Sequence, residues 1–151
     1  MLGPVQVKSM VEQYTHYALK SILGLKSQFA TKGKSSLADI IHKPMYEAAT
    51  CAFFGPSFPA AATYPVLQIF DKGVPMMAAG MPEIFIPETI RARDELYRLF
   101  GEYLAAPHEP CEMMQRVDNL GKDAGWTPFV LMQMFFGMLW PLVCRIVAVS
   151  L

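Results

Sequence analysis

Apolar positions recur along this chain with helical spacing, and nowhere with the strict alternation of a strand. Between Val5 and about Leu25 they fall at Val7, Val11, Tyr14, Ala18, Ile22 and Leu25. Steps of three and four residues place them on one side of an α-helix and leave Lys8, Glu12, Lys20 and Lys26 for the wet side. Pro4 suits the first turn, where a missing N–H costs nothing. The small, polar run Ser27 to Ser36 reads as a loop. Ser36 and Asp39 have the spacing of a capping box, but Pro44 predicts that a helix begun there soon ends or restarts. Met45, Ala48, Ala49, Ala52 and Phe53 then line one helical face, and Gly55-Pro56 stops it. The small residues on that face let another backbone come close.

The stretch Gly55 to Pro87 holds six of the twelve prolines: Pro56, Pro59, Pro65, Pro75, Pro82 and Pro87. That density predicts short helices at about 66–72 and 74–79 rather than one long one. The apolar pieces VPMMAAGM and EIFIP read as a lid or a surface-active loop. Glu88 to Ala106 is the best solvent-facing helix, with Leu96, Phe100, Tyr103 and Leu104 as its stripe. Arg91 with Glu95, and Asp94 with Arg98, are opposite charges four residues apart, each adding roughly 0.3–0.5 kcal/mol. Pro107 ends this helix. A short helix follows from Pro110 to Leu120, closed by Gly121. The expected fold is all-α, with five or six helices and Pro-rich loops.

The last 26 residues, Trp126 to Leu151, carry one charge, Arg145. A helix apolar on every side must be enclosed by a large core or by lipid. The thin amphipathic helices before it cannot easily enclose it. The 21 residues from Phe129 to Val149 are long enough to cross a bilayer core of about 30 Å. Gln133, Pro141 and Arg145 count against such a span, although an arginine near its end can snorkel.

Charge removes one class of function. Thirteen basic and thirteen acidic side chains cancel, so no basic stripe marks a nucleic-acid partner. Hydrophobic residues reach 53% and charged ones 17%, which is apolar for a small domain. Eleven Met and ten Phe make a soft interior or a surface for greasy partners. Cys51, Cys111 and Cys144 are scattered and odd in number, which makes neither a disulfide framework nor a zinc site. A reducing, intracellular setting is expected. The opening run MLGPVQVKSMVEQ lacks a continuous apolar segment, so no signal peptide is expected.

The chemistry-bearing residues form no constellation. His16, His42 and His108 are isolated, with no partner at metal-ligand spacing. The sequence has no nucleophile elbow, phosphate loop or dinucleotide fingerprint. Glu83, Glu88, Asp94, Glu95 and Glu102 have the period of a wet helix face. No catalytic residue and no metal ligand is predicted.

The order of the segments resembles that of the cytochrome P-450 superfamily of haem-thiolate monooxygenases, across about residues 1–140. LGPVQVKSMVEQYTHYALKSILGL resembles the run from the C helix into the D helix. LADIIHKPMYEAATCAFFG resembles the E helix. VLQIFDKGVPMMAAGMPEIF resembles the F region, and ETIRARDELYRLFGEYL the G helix that packs across it. NLGKDAGWTPFVLMQMFFGMLW (Asn119 to Trp140) resembles the start of the long I helix over the haem. Within it, Gly137 to Trp140 is similar to the sterol hydroxylase and prostacyclin synthase branch and its fungal relatives. The chain departs from the family in three ways. The ligand loop F-x-x-G-x-R-x-C-x-G is absent, so none of the three cysteines qualifies as the thiolate ligand. The tetrapeptide Glu88-Thr-Ile-Arg91 matches the K-helix E-x-x-R only in spelling. The I-helix acid–Thr pair is replaced by PLVCRIVAVSL, so residues 141–151 read as a divergent apolar tail.

The resemblance implies a partial P-450-like helical domain over residues 1–140. Phe70, Met76, Met77, Phe85, Phe136 and Trp140 would line half of a substrate cavity. The parent enzyme would use haem, an apolar, lipid-like substrate and a redox partner, at the endoplasmic reticulum membrane. This chain alone is not expected to catalyse, because the cofactor does the chemistry and its binding loop is missing. An alternative of another class is a small helical protein anchored in a membrane by its C-terminal apolar helix. A third is an interaction module that presents Met76, Met77 and Met81 to a partner's helices.

Overall fold

The computed structural model describes the backbone of residues 4–29 and 37–149, and side chains within 7–24 and 42–140. The chain is all-helical. Among the described residues it forms α1 (Pro4–Phe29), α2 (Leu37–Phe54), α3 (Ala60–Ala78), a single 3-10 turn (Glu83–Phe85), α4 (Pro87–Ala105), α5 (Glu112–Asp123) and α6 (Pro128–Val149). Two side-by-side pairs organise it: α1 lies along α2, and α3 along α4. Helix α6 packs against both α2 and α4, and α5 touches α2 and α6.

Local chemistry sets the ends of these helices. Pro87 occupies the first turn of α4, where its fixed φ is already helical. Gly55 ends α2 with φ +83°, and a Cβ there would land on the Glu109 carbonyl. The same close approach lets the Cys111 N–H donate to the Phe53 carbonyl at 2.9 Å, which ties the start of α5 to the end of α2. The α3–α4 pair is equally tight. A Cβ on Gly73 would collide with the side chain of Thr89.

The core is aromatic and centres on Phe54, the last residue of α2. Its ring stacks on Phe58 with centroids 4.8 Å apart. It also meets Phe100 edge-on at 5.7 Å and Phe135 at 6.0 Å. Rings from α2, α4 and α6 thus converge on one point. Edge-to-face and offset pairs of this kind add about 0.5–1.5 kcal/mol each beyond the burial of their area. The Tyr103 hydroxyl donates to the Phe54 carbonyl at 2.5 Å, so this polar tip is satisfied inside the core. The predicted small face of α2 is in place: Ala48, Ala49 and Ala52 are buried, with Tyr46 and Thr50 beside them.

Several expectations are corrected. Helix α2 runs unbroken through Pro44. Burial of the following turns outweighs a proline's cost of about 3 kcal/mol. The two short helices expected at 66–72 and 74–79 are one helix, α3, which contains Pro65 and Pro75. Both prolines are exposed, and so are Ala61 and Asp71, the residues four positions before them, whose carbonyls a proline's missing N–H cannot serve. Water can satisfy those carbonyls, so the helix continues. Helix α1 extends to Phe29 into the expected loop; the rest of that loop and the Ser36 capping box lie outside the described residues. On α4, Asp94 pairs with Arg93 rather than with Arg98, and Arg98 grips Glu95 and Glu102. The α4 stripe is as expected, with Leu96, Phe100 and Tyr103 buried. The α1 stripe is not: Val7, Val11 and Ile22 are about half exposed. Met10, Tyr14, Tyr17, Ala18 and Ser21 are the half-buried positions of α1, because α2 covers only one side of it.

Candidate functional site

The six predicted lining residues fall into two groups. Phe70 on α3 and Phe136 on α6 are buried, and their rings meet edge-on with centroids 5.2 Å apart. Phe136 also meets Tyr97 at 5.6 Å and Phe100 at 6.2 Å, both from α4. Met77 and Trp140 are partly buried against the same core. The indole Nε1 of Trp140 donates to Asp71 Oδ1 at 3.1 Å. Phe70, Phe136 and Trp140 therefore belong to one seam, where side chains of α3 and α6 meet, while Met77 packs against the core. Met76 and Phe85 do not join it: they are 48% and 71% exposed at the far end of the α3–α4 pair. Met81 and Ile84 are exposed there too.

Sequence reasoning missed two parts of this seam. Tyr97 sits one position past the predicted stripe of α4, yet its ring joins Phe136 and, at 5.9 Å, Phe129. Its aromatic character beside Leu96 was the available signal. Asp71 looks like an ordinary solvent-facing acid in a Pro-rich stretch. Its bond spans 69 positions of sequence, a distance that no local pattern reports.

Buried polar groups around the core are satisfied and structural. The Thr63 hydroxyl donates to the Pro59 carbonyl at 3.0 Å, so Tyr46 is the donor in the 2.7 Å bond between their hydroxyls. Burial pushes the Tyr46 phenol well above its ordinary range. Burial likewise raises Tyr103, helped by Cys111. Cys51 is raised by burial and by the Glu47 carboxylate, against an opposing pull from Lys20. His108 lies against Tyr103 with centroids 4.8 Å apart, and its Nδ1 is 2.7 Å from the Ala106 carbonyl. Among the described residues, no group of three or more His, Cys, Asp or Glu could hold a metal ion.

The arrangement packs aromatic rings of α3, α4 and α6 on one another and positions one indole against one carboxylate. It does not bring a nucleophile, a base and an oxyanion donor together. Among the described residues no helix is long and apolar enough to cross a membrane. The side chains of residues 141–149, the second half of the candidate span, lie outside those described, although the α6 backbone is helical to Val149.

No protein-family model, curated protein or solved structure matches this chain. The functional argument therefore rests on the residues and their packing.

Helix α6 shows most plainly what this packing leaves undone. Met132, Phe135, Phe136 and Leu139 are buried. On the opposite side, Val130, Gln133, Met134 and Gly137 face water, while Phe129, although exposed, lies on the covered side against Tyr97. Both sides are apolar apart from Gln133, and α2 and α4 cover only one of them.

Proposed function

We infer that this chain is part of a haem-dependent monooxygenase of the P-450 type, acting on an apolar, lipid-like substrate and inactive by itself. The pairing of the helices carries the reading. In the order of the resemblance, α1 stands for the run from the C helix into the D helix, α2 for E, α3 and α4 for F and G, and α6 for the start of I. The partnership of α3 with α4 and the packing of α4 against α6 support that order. The uncovered apolar side of α6 adds support, since a central helix needs protein on every face. Phe70, Phe136 and Trp140 bring to the α3–α6 seam the apolar and aromatic side chains of the kind that line a site for a greasy ligand.

The two described cysteines, Cys51 and Cys111, do not fit a P-450-type haem. Its axial ligand is a thiolate. The Cys51 thiol is pushed up by burial and by Glu47, which favours the neutral form. Cys111 caps the start of α5 with its backbone tied to Phe53. Neither lies in the ligand-loop sequence, so no oxygen chemistry is assigned to these residues. The membrane-anchor alternative has a specific cost: as an anchor, α6 would withdraw Met132, Phe135, Phe136 and Leu139 from the core they now fill.

Sequencing the gene beyond codon 140 tests this reading. The expected result is a reading frame encoding F-x-x-G-x-R-x-C-x-G, and a chain extended through it that binds haem with a thiolate-type Soret band. A gene with no such frame would overturn it.

A further inference from the structure

We draw no further inference here: the strongest candidate, the exposed apolar patch of Met76, Met81, Ile84 and Phe85 at the far end of the α3–α4 pair, carries nothing because nothing in the structure shows what covers it.

Discussion

The two helix pairs meet different fates from similar sequences. Helices α1 and α4 both carry an apolar stripe at helical spacing with charges opposite. On α4 the stripe disappears: Leu96 and Phe100 are fully buried. On α1 much of it stays open, with Val11 at 56% exposure. The difference lies in the neighbours. Helix α4 meets α3, the 3-10 turn and α6, whereas α1 lies along α2. Periodicity tells which side of a helix is greasy, and it does not tell how many partners arrive to cover it.

Substitutions in the two regions should separate sharply. Phe54→Ala and Phe135→Ala each empty a site at the meeting point of α2, α4 and α6, and should cost about 3–5 kcal/mol in denaturant unfolding. Leu19→Ala on α1 should change the same measurement by no more than about 0.5 kcal/mol, the range of a surface change. Equal losses at the two places would erase the comparison.

Next in size is the contact inside the α3–α4 pair. Gly73→Ala pushes a methyl into Thr89 and should cost about 1–3 kcal/mol by overpacking. Pairing it with Thr89→Gly should recover part of the loss, because the Thr89 Cβ, Oγ1 and Cγ2 are the atoms in the way. An additive double variant would mean that the helices are not this close.

Alkaline pH should loosen the well-covered region selectively. Burial raises Tyr46 and Tyr103 above their ordinary value of 10.0. The unfolded chain then loses these protons first, so the folded state binds more of them as pH rises past about 10, and stability falls. Thermal unfolding at pH 8 to 11 should show this decline, and Tyr46→Phe should flatten it. A profile unchanged by that substitution would assign the decline elsewhere. Among the substitutions of covered residues, the smallest effect is Trp140→Phe. It removes the bond to Asp71 and should cost about 0.5–1.5 kcal/mol in denaturant unfolding; an unchanged midpoint would mean that this bond contributes nothing.

Much of the fold was legible from residues. The α4 stripe, the existence of α5 and the helical character of α6 follow from spacing and from the stop at Pro107, but α5 runs through the expected stop at Gly121 to Asp123, and the positive-φ glycine lies at Gly125. The continuity of α3 was not legible. Pro65 and Pro75 break a helix only where the freed carbonyl lacks a partner, and the exposure of Ala61 and Asp71 is a tertiary fact. The ion pairs of α4 also differed, because Arg98 can reach either three residues back or four forward. The candidate site was legible in part. Phe70 and Phe136 follow from apolar texture. The split between Met77, which packs inward, and Met76, which faces water, depends on how α3 rotates against α4.

One side of α6 covered and the other bare is the observation on which the account turns. Mild peroxide oxidation of the native chain, read residue by residue by mass spectrometry, tests it through two methionines on that helix. Met132 is 7% exposed and Met134 is 40% exposed. The account predicts that Met134 oxidises at a rate close to that of Met76 and Met81, while Met132 stays protected with Met114. Equal protection of Met132 and Met134 would contradict it, because both sides of α6 would then be covered at these residues.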